Sequence, residues 1–134
     1  SLELKGVMAM RTLTIAVLMT FALGAAEARA DCYISSSGAP KCDDVKLGQL
    51  YVDTTGTYLE TSGNELNLSG SAATACTPDS NIFLWLDRAQ ANYDAIMSVL
   101  LSAKLANATL SIRVTKDTRA GFNNRCSIAY VRYL

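Results

Sequence analysis

The side chains with the most distinctive chemistry in this sequence are four cysteines, Cys32, Cys42, Cys76 and Cys126, in a chain that has no histidine. No two of them fall in a C-x-x-C spacing, and without imidazole the usual zinc sets cannot be completed, so a metal centre is the weaker reading. An even number of cysteines in an exported chain reads as two disulfides. Spacing alone leaves three connectivities open; the favoured one is Cys32–Cys42, closing a short loop around "YISSSGAPK", with Cys76–Cys126 closing a long one. Neither a metal nor a cofactor is expected.

The lack of histidine also removes the side chain best suited to act as a base near neutral pH. There is no G-x-S-x-G elbow and no phosphate-cradling glycine loop. Asp43 and Asp44 form an adjacent carboxylate pair, but sequence neighbours in a loop face water more readily than they share a proton. The expectation is therefore a protein that is not an enzyme. Tyrosines offer a different chemistry, because an aromatic face can stack on the apolar face of a pyranose. Of the six tyrosines, Tyr58, Tyr33 and Tyr51 are the candidates for that role.

The elements that must position these residues start after a targeting segment. Lys5 and Arg11 precede an uncharged run from Leu13 to Ala26, and "AEARA" at 26–30 supplies two A-x-A cleavage sites. That is the layout of a secretory signal peptide. The apolar run, about fourteen residues, is shorter than the roughly 20 needed to cross a bilayer, and no second long run follows. Residues 1–30 are thus expected to be a signal peptide with upstream residues, 31–44 a disulfide-closed arm and 45–134 the folded domain, secreted or periplasmic. From Asp31 onward nine Lys/Arg face ten Asp/Glu, so no basic surface is available to neutralise phosphates, and a nucleic-acid partner is not expected.

"VKLGQLYVD" alternates as a strand with one more apolar face, and the turn signals Thr55-Gly56 and Ser62-Gly63-Asn64 divide the next stretch into a meander of hairpins. Residues 82–86 are a continuous apolar run that suits either a buried strand or the first turns of a helix, and the strand is the favoured reading for 81–87. Asp87, with Gln90 three residues later, resembles a capping box opening a helix from about Arg88 to Ala106, ended by Asn107. Leu110, Ile112 and Val114 then alternate with polar residues, and "CSIAYVRYL" gives a last strand. The order predicts a mainly β fold with one helix, a small five-stranded OB-type barrel with the helix between its third and fourth strands; an open α+β sandwich is the alternative. On a helical wheel Ala89, Tyr93, Ile96, Met97, Leu100 and Leu101 form the stripe facing the sheet, and the opposite face carries Ala91, Ala95, Ser98 and Ser102. Such small residues permit the close approach of another subunit.

The words "GQLYVDTTGTYLET", "ATAC" and "YDAIMSVLLSAKLA" running directly into "ATLSIRV", behind a signal peptide, together resemble the binding (B) subunits of A-plus-five-B toxins, of the subtilase cytotoxin and typhoid toxin type, and their small exported bacterial relatives. The resemblance spans about Leu47 to Thr115. It implies an OB-fold subunit in a homopentamer, helices toward the central pore, a site for cell-surface glycans on each subunit, and a separate enzymatic subunit as partner. The stretch matching the family's sugar-contacting segment is "VDTTGTY", which makes Asp53, Thr54, Thr55 and Tyr58 the glycan-binding candidates, with threonine where the family has serine. The family's cysteine in the second strand is absent from "TYLET". The alternative to a glycan-binding pentamer is an orphan periplasmic protein with a structural or protein-inhibitory role and no sugar site.

Overall fold

The computed structural model describes residues 30–133; the signal-peptide reading of 1–30 falls, apart from Ala30, outside them. Seven strands form one sheet: β1 (Asp31–Ile34), β2 (Pro40–Val45), β3 (Leu47–Val52), β4 (Gly56–Thr61), β5 (Leu84–Asp87), β6 (Leu110–Asp117) and β7 (Arg125–Tyr133). A 3₁₀ turn, Glu65–Leu68, and one helix, α1 (Tyr93–Ala106), complete it. The sheet order is β1-β2-β6-β7-β5-β4-β3, antiparallel throughout except where β5 meets β7 at Trp85 and Ser127.

The fold is mainly β with a single helix, and the sheet is not closed into a barrel. Five of the strands are those expected from the sequence, and the helix falls between the third and fourth of them, β5 and β6. The other two come from residues 31–45, of which 31–44 are expected as a disulfide-closed arm and Val45 as the start of the next strand. They pair as a hairpin, with Cys32 opposite Cys42 and Tyr33 opposite Lys41, and β2 then joins β6. The segment has few large apolar residues, yet Cys32, Pro40, Cys42 and Val45 are all buried. Its inward face is supplied largely by the Cys32–Cys42 disulfide, so a search for alternating aliphatic residues passes over it. The second disulfide joins Cys76 to Cys126 and ties the irregular segment after the 3₁₀ turn to the start of β7.

The expected meander also stops early. After β4 the chain turns at "SGNELNL" into the 3₁₀ turn instead of a further strand, because Asn64 accepts the Leu66 N–H and Glu65 folds inward. The buried Glu65 carboxylate accepts from both the N–H and the hydroxyl of Thr61, each at 2.7 Å. Burial still pushes its pKa up.

The helix is shorter than its sequence signal. Asp87 does accept the Ala89 N–H at 2.9 Å, but Gln90 turns away from the helix to donate to the Ile128 carbonyl, and Asn92 donates to the Ala129 carbonyl. Residues 88–92 are therefore held to β7 as turns, and α1 starts at Tyr93. Its end is as expected: Asn107 is left-handed, with φ 50° and ψ 40°, a conformation asparagine tolerates better than most residues. Ile96, Leu100 and Ala103 are buried, while Tyr93 and Met97 are half-buried. Leu101, expected on the covered stripe, is 47% exposed, and Ala89 lies before the helix and is exposed. The covered stripe is turned toward Ala103, which leaves Leu101 and the 89% exposed Leu105 on the outside.

The core beneath is built from Leu59, Leu84, Leu86, Leu100, Leu110, Ile112, Val114 and Ile128 together with both disulfides. Among the described residues no helix is long and apolar enough to cross a membrane.

Candidate functional site

The hydroxyl-rich turn between β3 and β4 is shaped by one carboxylate. Asp53 Oδ1 accepts from the Thr55 N–H at 2.8 Å, the Thr55 hydroxyl at 2.7 Å and the Gly56 N–H at 3.1 Å, an Asx-type turn. The Thr55 hydroxyl, first among these donors, and the backbone bonds hold the Asp53 carboxyl below its ordinary pKa. Gly56 is required next: a Cβ there would lie 2.2 Å from the Leu86 carbonyl oxygen and 2.8 Å from the edge of the Trp85 ring. The turn can therefore lie flat against the indole.

Around that contact runs a cleft of about 760 Å³, lined by Thr54, Thr55, Tyr58, Trp85, Asp87, Arg88, Ala89, Arg119, Phe122 and Arg125. Its floor is aromatic. The Tyr58 and Trp85 rings are 4.9 Å apart, Phe83 packs edge-on to Tyr58 at 6.1 Å, and Tyr51 lies on the far side of Tyr58 at 5.3 Å. Trp85 is only 2% exposed, since Arg125 lies over it with its guanidinium carbon 4.4 Å from the ring. Its indole N–H is buried with no hydrogen-bond partner among the described residues.

The wall opposite the threonines comes from the loop between β6 and β7. Arg119 donates to Asp117 through Nε at 2.9 Å and Nη2 at 2.6 Å, and Nη2 also reaches Asp87 at 2.7 Å. Its guanidinium lies 4.2 Å over the Phe122 ring. Arg125 in turn pairs with Asp79 at 3.1 Å. Asp117 is held below the usual carboxylate range, chiefly by the Arg119 side chain. Burial alone would raise Asp87, but the Ala89 N–H and Arg119 outweigh it and lower it. Asp79 goes the other way, because burial outweighs Arg125 and raises it. Arg119 and Arg125 are thus engaged by carboxylates, whereas the exposed Arg88 has no carboxylate partner among the described residues; the surfaces left to meet a ligand are Arg88, the Thr54 hydroxyl, the acceptor side of the Thr55 hydroxyl and the half-buried Phe122 and Tyr58 rings.

Of the four glycan-binding candidates, Thr54, Thr55 and Tyr58 line this one cleft, whereas Asp53 sits behind them with Oδ1 committed to the turn. Tyr51 joins the aromatic cluster, but Tyr33 lies elsewhere, on the sheet face formed by β1, β2, β6 and β7. Sequence reasoning missed Trp85, Arg119, Phe122 and Arg125. The available signal was the loop "KDTRAGFNNR", in which two arginines flank a phenylalanine three residues from each. Of the small residues expected on the outer helix face, Ala95, Ser98 and Ser102 are on α1 and exposed, whereas Ala91 lies in the turn before the helix, because residues 88–92 are held to β7; none takes part in the cleft. Asp43 and Asp44 are not a loop pair: Asp43 is inside β2, and Asp44, with φ 53°, follows it there.

The chain matches no protein-family model, no curated protein and no solved structure, and nothing in these comparisons links it to toxin B subunits.

Proposed function

We propose that this is an exported, disulfide-bonded binding protein that acts without catalysis and recognises a hydroxyl-rich ligand, a cell-surface glycan, in the Trp85 cleft. The observation that carries this reading is the shared cleft itself: Thr54, Thr55 and Tyr58, candidates through the resemblance to the toxin subunits' sugar-contacting segment, border it together with Phe122 over an aromatic floor. Sugars are held by such a mixture, with an aromatic face against the ring's C–H groups and hydroxyls and carboxylates bonding its periphery. The kinship with OB-type toxin B subunits belongs to this proposal, supported by the helix lying between β5 and β6. Export is supported by the two disulfides and by the leader-like composition of residues 1–30.

The test is a glycan array probed with the protein from Asp31 onward, disulfides formed. A bound glycan should be lost in Thr54→Ala or Thr55→Ala; unchanged binding in both would remove the site.

Self-association through α1, as a ring of five, is part of the same proposal. It is supported by exposed Ala95, Ser98 and Ser102 beside Leu101 and Leu105, a face more apolar than a solvated helix normally shows. Light scattering should give a mass near five subunits, falling to one in Ser98→Glu. A monomeric wild type would end the assembly part and leave the cleft to be tested alone.

A further inference from the structure

The outer face of β1, β2, β6 and β7 carries a second, chemically different surface. Strand register lays its side chains out in two rows. Tyr33 opposes Lys41, Lys41 opposes Arg113 and Arg113 opposes Tyr130; beside that row, Asp31 opposes Asp43, and Ser111 opposes Arg132. The intervening residues Cys32, Cys42 and Ile112 face the core. A depression of about 340 Å³ lies over these rows, lined by Tyr33, Lys41, Asp43, Asp44, Ser111, Arg113, Tyr130 and Arg132.

The charges in this depression are unequally engaged. Asp43 is saturated: Tyr33 donates to Oδ2 at 2.6 Å, Ser111 donates to Oδ1, and Lys41 lies 3.3 Å away. Lys41 is at the same time 5.4 Å over the Tyr33 ring. Arg113 and Arg132, by contrast, have no carboxylate partner among the described residues. They are diagonal neighbours on an antiparallel pair, a spacing of about 7–8 Å that long side chains can close. Asp44 is the remaining negative charge in the lining, so the three cations Lys41, Arg113 and Arg132 exceed the two carboxylates by one. Tyr130, 49% exposed, stands directly across from Arg113.

We propose that this face is a binding site, separate from the Trp85 cleft, for a small molecule carrying a carboxylate on a ring. The carboxylate would be forked by Arg113 and Arg132, and the ring would lie along Tyr130. Guanidinium groups suit the task because their donors match a carboxylate in pairs. The Asp43 cluster fixes the floor and keeps a competing carboxylate from collapsing onto the arginines.

The probes are benzoate and glucuronate, which separate an aromatic from a sugar ring, with glucose as the neutral control. Backbone amide shifts in the wild-type protein should move at Ser111, Arg113, Tyr130 and Arg132 with one or both acids and not with glucose. Arg113→Gln with Arg132→Gln should weaken the affinity by about tenfold or more. Both side chains are outside the core, so the variant's amide spectrum should otherwise be retained. Absence of shifts with both acids, equal response to glucose, or undiminished affinity in the double variant would each overturn the proposal.

Discussion

The Trp85 cleft and the Arg113/Arg132 face both combine arginine with aromatic rings, yet they commit their arginines to different degrees. In the cleft, Arg119 is bound by Asp87 and Asp117, and Arg125 by Asp79 while it covers Trp85. These two cations hold the loop between β6 and β7 in place, and what is left exposed is the threonine turn, the Phe122 and Tyr58 rings and a single unpaired arginine, Arg88, at the edge of the lining. On the sheet face the carboxylate, Asp43, takes up Tyr33, Ser111 and Lys41, and the arginines are left over. Residue composition alone therefore says little about what a surface recognises; what matters is which charges the fold has already neutralised.

The contrast predicts unequal consequences for stability. Trp85→Ala removes the buried floor and should cost about 3–5 kcal/mol, read as a lowered denaturant midpoint with disulfides intact. Arg113→Gln with Arg132→Gln should change stability by no more than about 0.5 kcal/mol per site, as substitutions outside such features do. Comparable losses in the two variants would break the comparison, since the sheet-face arginines would then be structural.

A smaller effect sharpens it by pH. Asp117 and Asp87 have folded pKa values below their unfolded ones, so each adds stability above the unfolded carboxylate pKa, about 4, and loses it as pH falls through the lower folded value. Asp79 and Glu65 are raised, so their contribution is present below the unfolded pKa and fades as pH rises through the folded one. Asp117→Asn should lower stability at neutral pH and flatten the loss of stability below about pH 4. Wild-type and variant acid curves that run parallel would show that the Arg119 clamp contributes nothing to folding.

How much of this was legible in the sequence depended on where the signal came from. The strand around Leu47, the strand from Leu110 and the helix declared themselves through period, the other expected strands through turn signals or runs of apolar residues, and Asn107 through its tolerance of positive φ. The hairpin of β1 and β2 did not, because a disulfide and a proline supply its inward face where aliphatic alternation was sought. The start of α1 was misread because Gln90 and Asn92 bond to β7 carbonyls, a tertiary contact invisible to local capping rules. Similarly, Thr54, Thr55 and Tyr58 were named from a local word, whereas Arg119, Phe122 and Arg125 join them only through the closing of a distant loop. The Arg113/Arg132 face required strand register, and in particular the pairing of β6 with both β2 and β7.

The most direct test of the central claim is one glycan array read in parallel with wild type, Thr55→Ala and the Arg113→Gln, Arg132→Gln double variant. A glycan should be bound by wild type and by the double variant but lost in Thr55→Ala. No bound glycan, or one whose binding follows the arginines and ignores Thr55, would contradict it.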